Sequence, residues 1–65
     1  MNITINNAPQ QLQDGATVLD ALAAIGAKPP FAVAVNTAFV PSAEHARHLL
    51  QDGDSVEVIS PVTGG

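Results

Sequence analysis

TVLDALAAIGAKPP, Thr17 to Pro30, is the stretch on which the fold turns. Val18, Ala21, Leu22 and Ile25 recur at helical spacing and make one apolar stripe, while Asp20 points away from it. Thr17 is suited to cap the first turn. Asp20, three residues later, makes a weaker relative of the capping box and sits where a negative charge favours a helix N-terminus. Gly26 supplies a C-terminal stop, and Pro29 and Pro30 after Lys28 prevent the helix from resuming. A short amphipathic helix with one apolar face requires a surface to cover.

That surface is written on both sides of it. Upstream, MNITIN alternates, with Ile3 and Ile5 on one face and Asn2, Thr4 and Asn6 on the other, the pattern of a half-buried strand. NNAP is turn chemistry, a second short strand around QQLQ presents Leu12, and Asp14-Gly15 ends it. Downstream, FAVAVN places Phe31, Val33 and Val35 on one face and Ala32 and Ala34 on the other. Asn36 begins a turn, and AFV returns as a short strand stopped by Pro41. Ser42 is read as the cap of a short helix over 43–50, with Ala43, Ala46, Leu49 and Leu50 on its inner arc and Glu44 and His48 outside. After the QDGD turn, SVEVIS is a final strand with Val56 and Val58 inward.

The order is strand, strand, helix, strand, short strand, short helix, strand. If the first and last strands are parallel neighbours, everything between them is the crossover that parallel pairing needs. The expected architecture is α+β of β-grasp type. It has a mixed four- to five-stranded sheet packed on one main helix, plus one short helix, in a single domain over 1–65 with a flexible tail at 61–65.

Composition narrows the function. The 65 residues are 46% hydrophobic and contain no cysteine, so thiolate nucleophiles, disulfides and cysteine-bound zinc are absent. The formal charge is −4, with Lys28 and Arg47 the only strong bases. That balance argues against nucleic acid, which rewards clustered Lys and Arg. The beginning, MNITINNAPQ, has neither the charged start of a signal peptide nor an apolar span, so no membrane and a cytoplasmic location are expected. No nucleophile elbow, Walker loop or dinucleotide-binding glycine pattern occurs, and no catalytic residue is expected. His45 and His48 are spaced to share a metal, but the further ligands of a zinc site are missing, so none is expected. Asp52 and Asp54 around Gly53 read as turn chemistry.

The residues PVTGG, Pro61 to Gly65, are different. At about 7% average usage, two terminal glycines arise by chance in roughly 0.5% of chains. A Gly-Gly end after Thr63 is thin and unbranched, suited to a narrow channel in another protein where any β-carbon would clash. Its reactive group would be the α-carboxylate of Gly65, with Gly64 as the permissive neighbour. A carboxylate resists nucleophiles until one oxygen becomes a leaving group. Adenylation by ATP achieves that, with the metal and nucleotide site on the partner.

VAVN and FVP within Val33–Pro41, and LLQDGDSVEVISPVTGG from Leu49 to Gly65, resemble the thiamin-biosynthesis sulfur carriers, the ThiS family of the ubiquitin-like β-grasp group. The resemblance implies a protein co-substrate that is not itself an enzyme and binds no cofactor. A ThiF-like adenylyltransferase, using ATP and Mg, would activate Gly65. Sulfur from a cysteine desulfurase would convert it to a thiocarboxylate, and thiazole synthase would use that sulfur for the thiamin thiazole ring. Three positions depart from the usual pattern: Thr37 where glycine is common, Ser42 where arginine is common, and His45 where tryptophan is common.

A docking face follows from the strand pattern. With Ile3, Leu12, Phe31, Val33, Val35, Val56 and Val58 against the helix, Ala32, Ala34 and Ile59 lie on the open face beside Glu57. A smooth apolar patch there suits a partner surface, although scattered small apolar residues also occur on ordinary surfaces. A molybdopterin-type or other-pathway sulfur carrier, a ubiquitin-like modifier joined to lysines, and a plain interaction domain are the competing readings. Only the last is indifferent to Gly64 and Gly65.

Overall fold

The structure, a computed structural model, describes residues 1–59. Strand β1 (Asn2–Ile5) turns into β2 (Ala8–Gln11), helix α1 (Val18–Ala24) follows, β3 (Ala32–Val35) turns into β4 (Ala38–Val40), a 3-10 turn spans Ser42–Glu44, and β5 is Ser55–Ile59. The five strands form one sheet in the order β2-β1-β5-β3-β4. β1 and β5 are parallel and the other pairs antiparallel. The expected β-grasp architecture is borne out. Among the described residues, no helix is long and apolar enough to cross a membrane.

α1 forms where its caps allow. Thr17 Oγ1 accepts from the Asp20 N–H at 3.4 Å, and Asp20 Oδ2 accepts from the Thr17 N–H at 2.9 Å, a complete reciprocal capping box. At the other end Gly26 takes φ +66. Its N–H donates to Ala23 O, and the Ala27 N–H donates to Leu22 O. These two bonds are a Schellman termination, in which a positive φ is cheapest for glycine. Val18, Ala21 and Leu22 go into the core with Ile3, Ile5, Val33, Val35, Val40, Leu50 and Val56. Ile25, expected on the same stripe, is instead the exposed C-cap.

Both hairpins use two-residue turns with two positive φ angles, +51 at Asn6 and +70 at Asn7, then +51 at Asn36 and +70 at Thr37. This is the type I′ geometry that matches strand twist. Thr37 adopts it without glycine. β2 begins earlier than QQLQ, at Ala8. Pro9 is accommodated because β2 is an edge strand and its missing N–H takes nothing from the sheet. Leu12 lies just past the strand, half-buried against the core.

The short helix expected over 43–50 is not formed. Ser42–Glu44 is a single 3-10 turn whose N-cap is Pro41, with no side-chain cap, so Ser42 does not serve as one. The reason lies in α1. The His48 carbonyl accepts from the Val18 N–H, and the His45 carbonyl accepts from the Leu19 N–H, each at 3.0 Å. Those are N-terminal helix donors that lack partners within their own helix. A helix through 43–50 would have needed the His45 carbonyl for itself. The chain instead extends, making a bridge between Leu49 and Thr17 and a bond from the Leu50 N–H to Ala16 O. Leu50 is buried and Leu49 is 62% exposed, as opposite sides of an extended chain require.

Candidate functional site

The register decides which side chains share the face turned away from α1. Ala34 stands between Phe39 on β4 and Glu57 on β5, and Ala32 stands opposite Ile59. Directly opposed side chains lie about 4.5–5.5 Å apart at Cβ, so these five form one continuous patch. Phe39 is 67% exposed and Ile59 59%, with Glu57 exposed and both alanines half-buried. All four residues expected on the open face, Ala32, Ala34, Glu57 and Ile59, are brought together.

Phe39 is the residue the sequence reading missed. Its signal was available: once Val33 faces the core, a two-residue turn at Asn36-Thr37 sends Val40 inward and Phe39 outward. An exposed phenylalanine beside two alanines and an isoleucine is the largest apolar side chain of the patch. On the β1 side the same face carries Thr4 between Ser55 and Pro9, with Asn2 and Gln11 beyond. Apolar surface is therefore concentrated on β3, β4 and the last residues of β5, where the described chain ends.

β5 is the central strand, gripped on both sides. On the β3 side the Asn36 N–H donates to Ser55 O at 2.7 Å, and Asn36 Oδ1 accepts from the Ser55 N–H at 2.9 Å. Asn36 Nδ2 donates to Asp54 Oδ1 at 2.9 Å, while Asp54 Oδ2 accepts from the Gln51 N–H. Asp52 Oδ1 accepts from the Asn2 N–H at 2.7 Å. Both aspartates of the QDGD turn thus serve as turn and strand caps, leaving their carboxylates engaged with backbone and with Asn36. Gly53 has φ +89 between them, which glycine permits at no side-chain cost.

The two histidines separate. His45 is 6% exposed, its Nε2 3.1 Å from Val40 O, and its ring stacks on Phe31 at 5.9 Å between centroids. It is buried with the core. His48 is half-buried. Among the described residues no group of three or more His, Cys, Asp or Glu side chains is close enough to hold a metal. Thr63, Gly64 and Gly65, and with them the expected tail at 61–65, lie outside the described residues.

A mixed sheet grasping one helix, with an apolar open face beside the end of the central strand, defines a ubiquitin-like β-grasp domain. The ThiS family model matches residues 3–65, and the chain belongs to that family. It is also similar to a solved structure, the thiamine biosynthesis protein ThiS from Geobacter metallireducens. The likeness has a TM-score of 0.82 and 25% identity, and covers 100% of both chains. No curated protein matches the sequence significantly.

Proposed function

We propose that this protein is a sulfur carrier of thiamine biosynthesis whose reactive group is the α-carboxylate of Gly65. The observation that carries the reading is that the family match runs through Gly65, beyond a central strand that ends beside the apolar patch. In the first step a carboxylate oxygen of Gly65 attacks the α-phosphorus of ATP and pyrophosphate leaves, giving an acyl adenylate. A sulfur nucleophile then adds to the acyl carbon and AMP leaves, and with hydrosulfide the product is the thiocarboxylate. The nucleotide site, the metal and the sulfur source belong to partners: a ThiF-like adenylyltransferase and a cysteine desulfurase. Thiazole synthase is the recipient. This chain supplies the tail and the surface that aligns it, acting as a co-substrate.

The face formed by Ala32, Ala34, Phe39, Glu57 and Ile59 is the docking surface in this reading. The apolar centre supplies burial, and Glu57 supplies a charge for orientation against a basic partner. The acidic balance of the whole chain works in the same direction.

Intact-mass analysis tests the proposal. After incubation with ATP, a ThiF-like adenylyltransferase and a sulfide source, the chain should gain the mass of one oxygen replaced by sulfur. A chain lacking Gly64 and Gly65 should gain nothing. No adduct and no AMP release, with the enzyme verified on its own carrier, would overturn the reading. An isopeptide bond from Gly65 to lysine in cells would favour a protein modifier instead.

A further inference from the structure

The backbone of β1 leaves the sheet before β5 ends. The parallel pairs are Thr4↔Ser55 and Ile5↔Val56, with the Thr4 N–H on Asp54 O at 3.0 Å and the Asn6 N–H on Val56 O at 2.9 Å. A parallel ladder spaces its bonds evenly. Its next two would run from the Val58 N–H to the carbonyl of residue 6 and from the N–H of residue 8 to Val58 O. The backbone cannot make them, because Asn6 and Asn7 take φ +51 and +70 and Ala8 already belongs to β2.

The Asn6 side chain makes both. Its Oδ1 accepts from the Val58 N–H at 2.8 Å and its Nδ2 donates to Val58 O at 3.2 Å. A carboxamide carries one carbonyl acceptor and an N–H donor, the same pair that the ladder lacks. Asparagine also tolerates the left-handed backbone that the turn demands. One residue thus closes the hairpin and continues the parallel pairing of its neighbour strand.

We propose that Asn6 is a positioning residue for presentation of the C-terminal segment. Its carboxamide stands in for the departed β1 backbone and pins β5 at Val58, seven residues before Gly65. The role rests on the sulfur-carrier reading given above. On the other side Val58 stands opposite Val33, and its neighbours Glu57 and Ile59 stand opposite Ala34 and Ala32, on β3. Loss of the clamp therefore loosens the end of β5 locally and leaves the sheet assembled. Every β5 residue that frays must be ordered again when a partner takes the tail, at a cost in backbone entropy. That cost falls on binding the carrier, so KM rises while kcat stays the same.

Asn6→Gly tests this, because glycine accepts φ +51 and only the carboxamide is lost. Hydrogen exchange at the Val58 amide should accelerate about three- to tenfold, as for loss of one or two exposed hydrogen bonds, with α1 and β3 amides unchanged. In ATP–pyrophosphate exchange by a ThiF-like adenylyltransferase, the KM for the carrier should rise by a similar factor at constant kcat. Asn6→Asp keeps the acceptor and loses the donor, and should fall between wild type and Asn6→Gly. Thr17→Ala, which weakens the cap of α1 without touching β5, should leave KM unchanged. Unaltered Val58 exchange, an unaltered KM in Asn6→Gly, or an equal KM rise in Thr17→Ala would overturn the positioning role alone. No turnover of the wild-type chain by an enzyme active on its own carrier would overturn the carrier reading and this role with it.

Discussion

At the residue scale, Thr37 and His45 show how a side chain is set by its surroundings. Thr37 holds a β-branched side chain at φ +70, a conformation that costs roughly 1–3 kcal/mol for a residue other than glycine. Replacing it with glycine removes that strain and returns part of the gain through greater unfolded-state freedom. Thr37→Gly should stabilise the domain by about 0.5–1 kcal/mol in urea denaturation. Asn7→Gly, at the matching position of the first hairpin, should gain less because asparagine tolerates positive φ. A loss of stability in Thr37→Gly would show that the threonine is held by contacts stronger than its strain. His45 is buried against Phe31 and Val40. His45→Ala leaves a cavity and loses the hydrogen bond between Nε2 and the Val40 carbonyl, and should cost about 2–3 kcal/mol by thermal unfolding. His45→Phe should recover the packing part but not the hydrogen-bond part. Neither role was legible in the sequence, since the left-handed angle at Thr37 comes from sheet twist and the burial of His45 comes from a neighbouring strand.

At the element scale, α1 was readable and the segment after β4 was not. The apolar stripe, the Thr17 cap and the Gly26 stop are local features, and the helix has the termini they imply. Residues 43–50 have helical spacing as well, yet their carbonyls are drawn to the first turn of α1. The N-terminal donors of α1 are shared out among Thr17 Oγ1, the His48 carbonyl and the His45 carbonyl. Thr17→Ala should therefore cost about 1 kcal/mol, the ordinary value for a lost cap. The Val18 and Leu19 amides should stay protected in hydrogen exchange, because the His48 and His45 carbonyls still hold them. Fast exchange at both would mean that Thr17 organises the whole junction. The wrong reading of 43–50 arose because a helix pattern on a short stretch cannot show that another element needs its carbonyls.

At the scale of the whole molecule, a domain of 65 residues has a stability of roughly 3–10 kcal/mol, so a docking face must be built from side chains the core does not need. Ala34 and Phe39 meet that condition, being half-buried and exposed on the face opposite α1. Ala34→Glu and Phe39→Ser should each change unfolding free energy by less than about 1 kcal/mol, as expected for surface positions. Each should weaken activation by the adenylyltransferase by tenfold or more, since a central apolar contact is worth more than about 1.4 kcal/mol. Normal activation of both variants would remove this face from the docking surface. The strand alternation had placed four of the five patch residues before any register was known. Phe39 needed the hairpin register, because a three-residue strand between a turn and a proline does not declare its inward side.

What the sequence by itself determined is whatever neighbouring residues decide: the period of each strand, the caps of α1 and the turn chemistry. Element order then left β-grasp as the economical way to bring the first and last strands together in parallel. Only the tertiary structure decided that residues 42–50 would give up a helix to cap α1, that His45 would enter the core, and that Asn6 would complete the pairing of β5. Each of these is a hydrogen bond or contact between segments distant in the chain. Side-chain periodicity records which face a residue prefers, but it carries no information on which backbone group elsewhere lacks a partner.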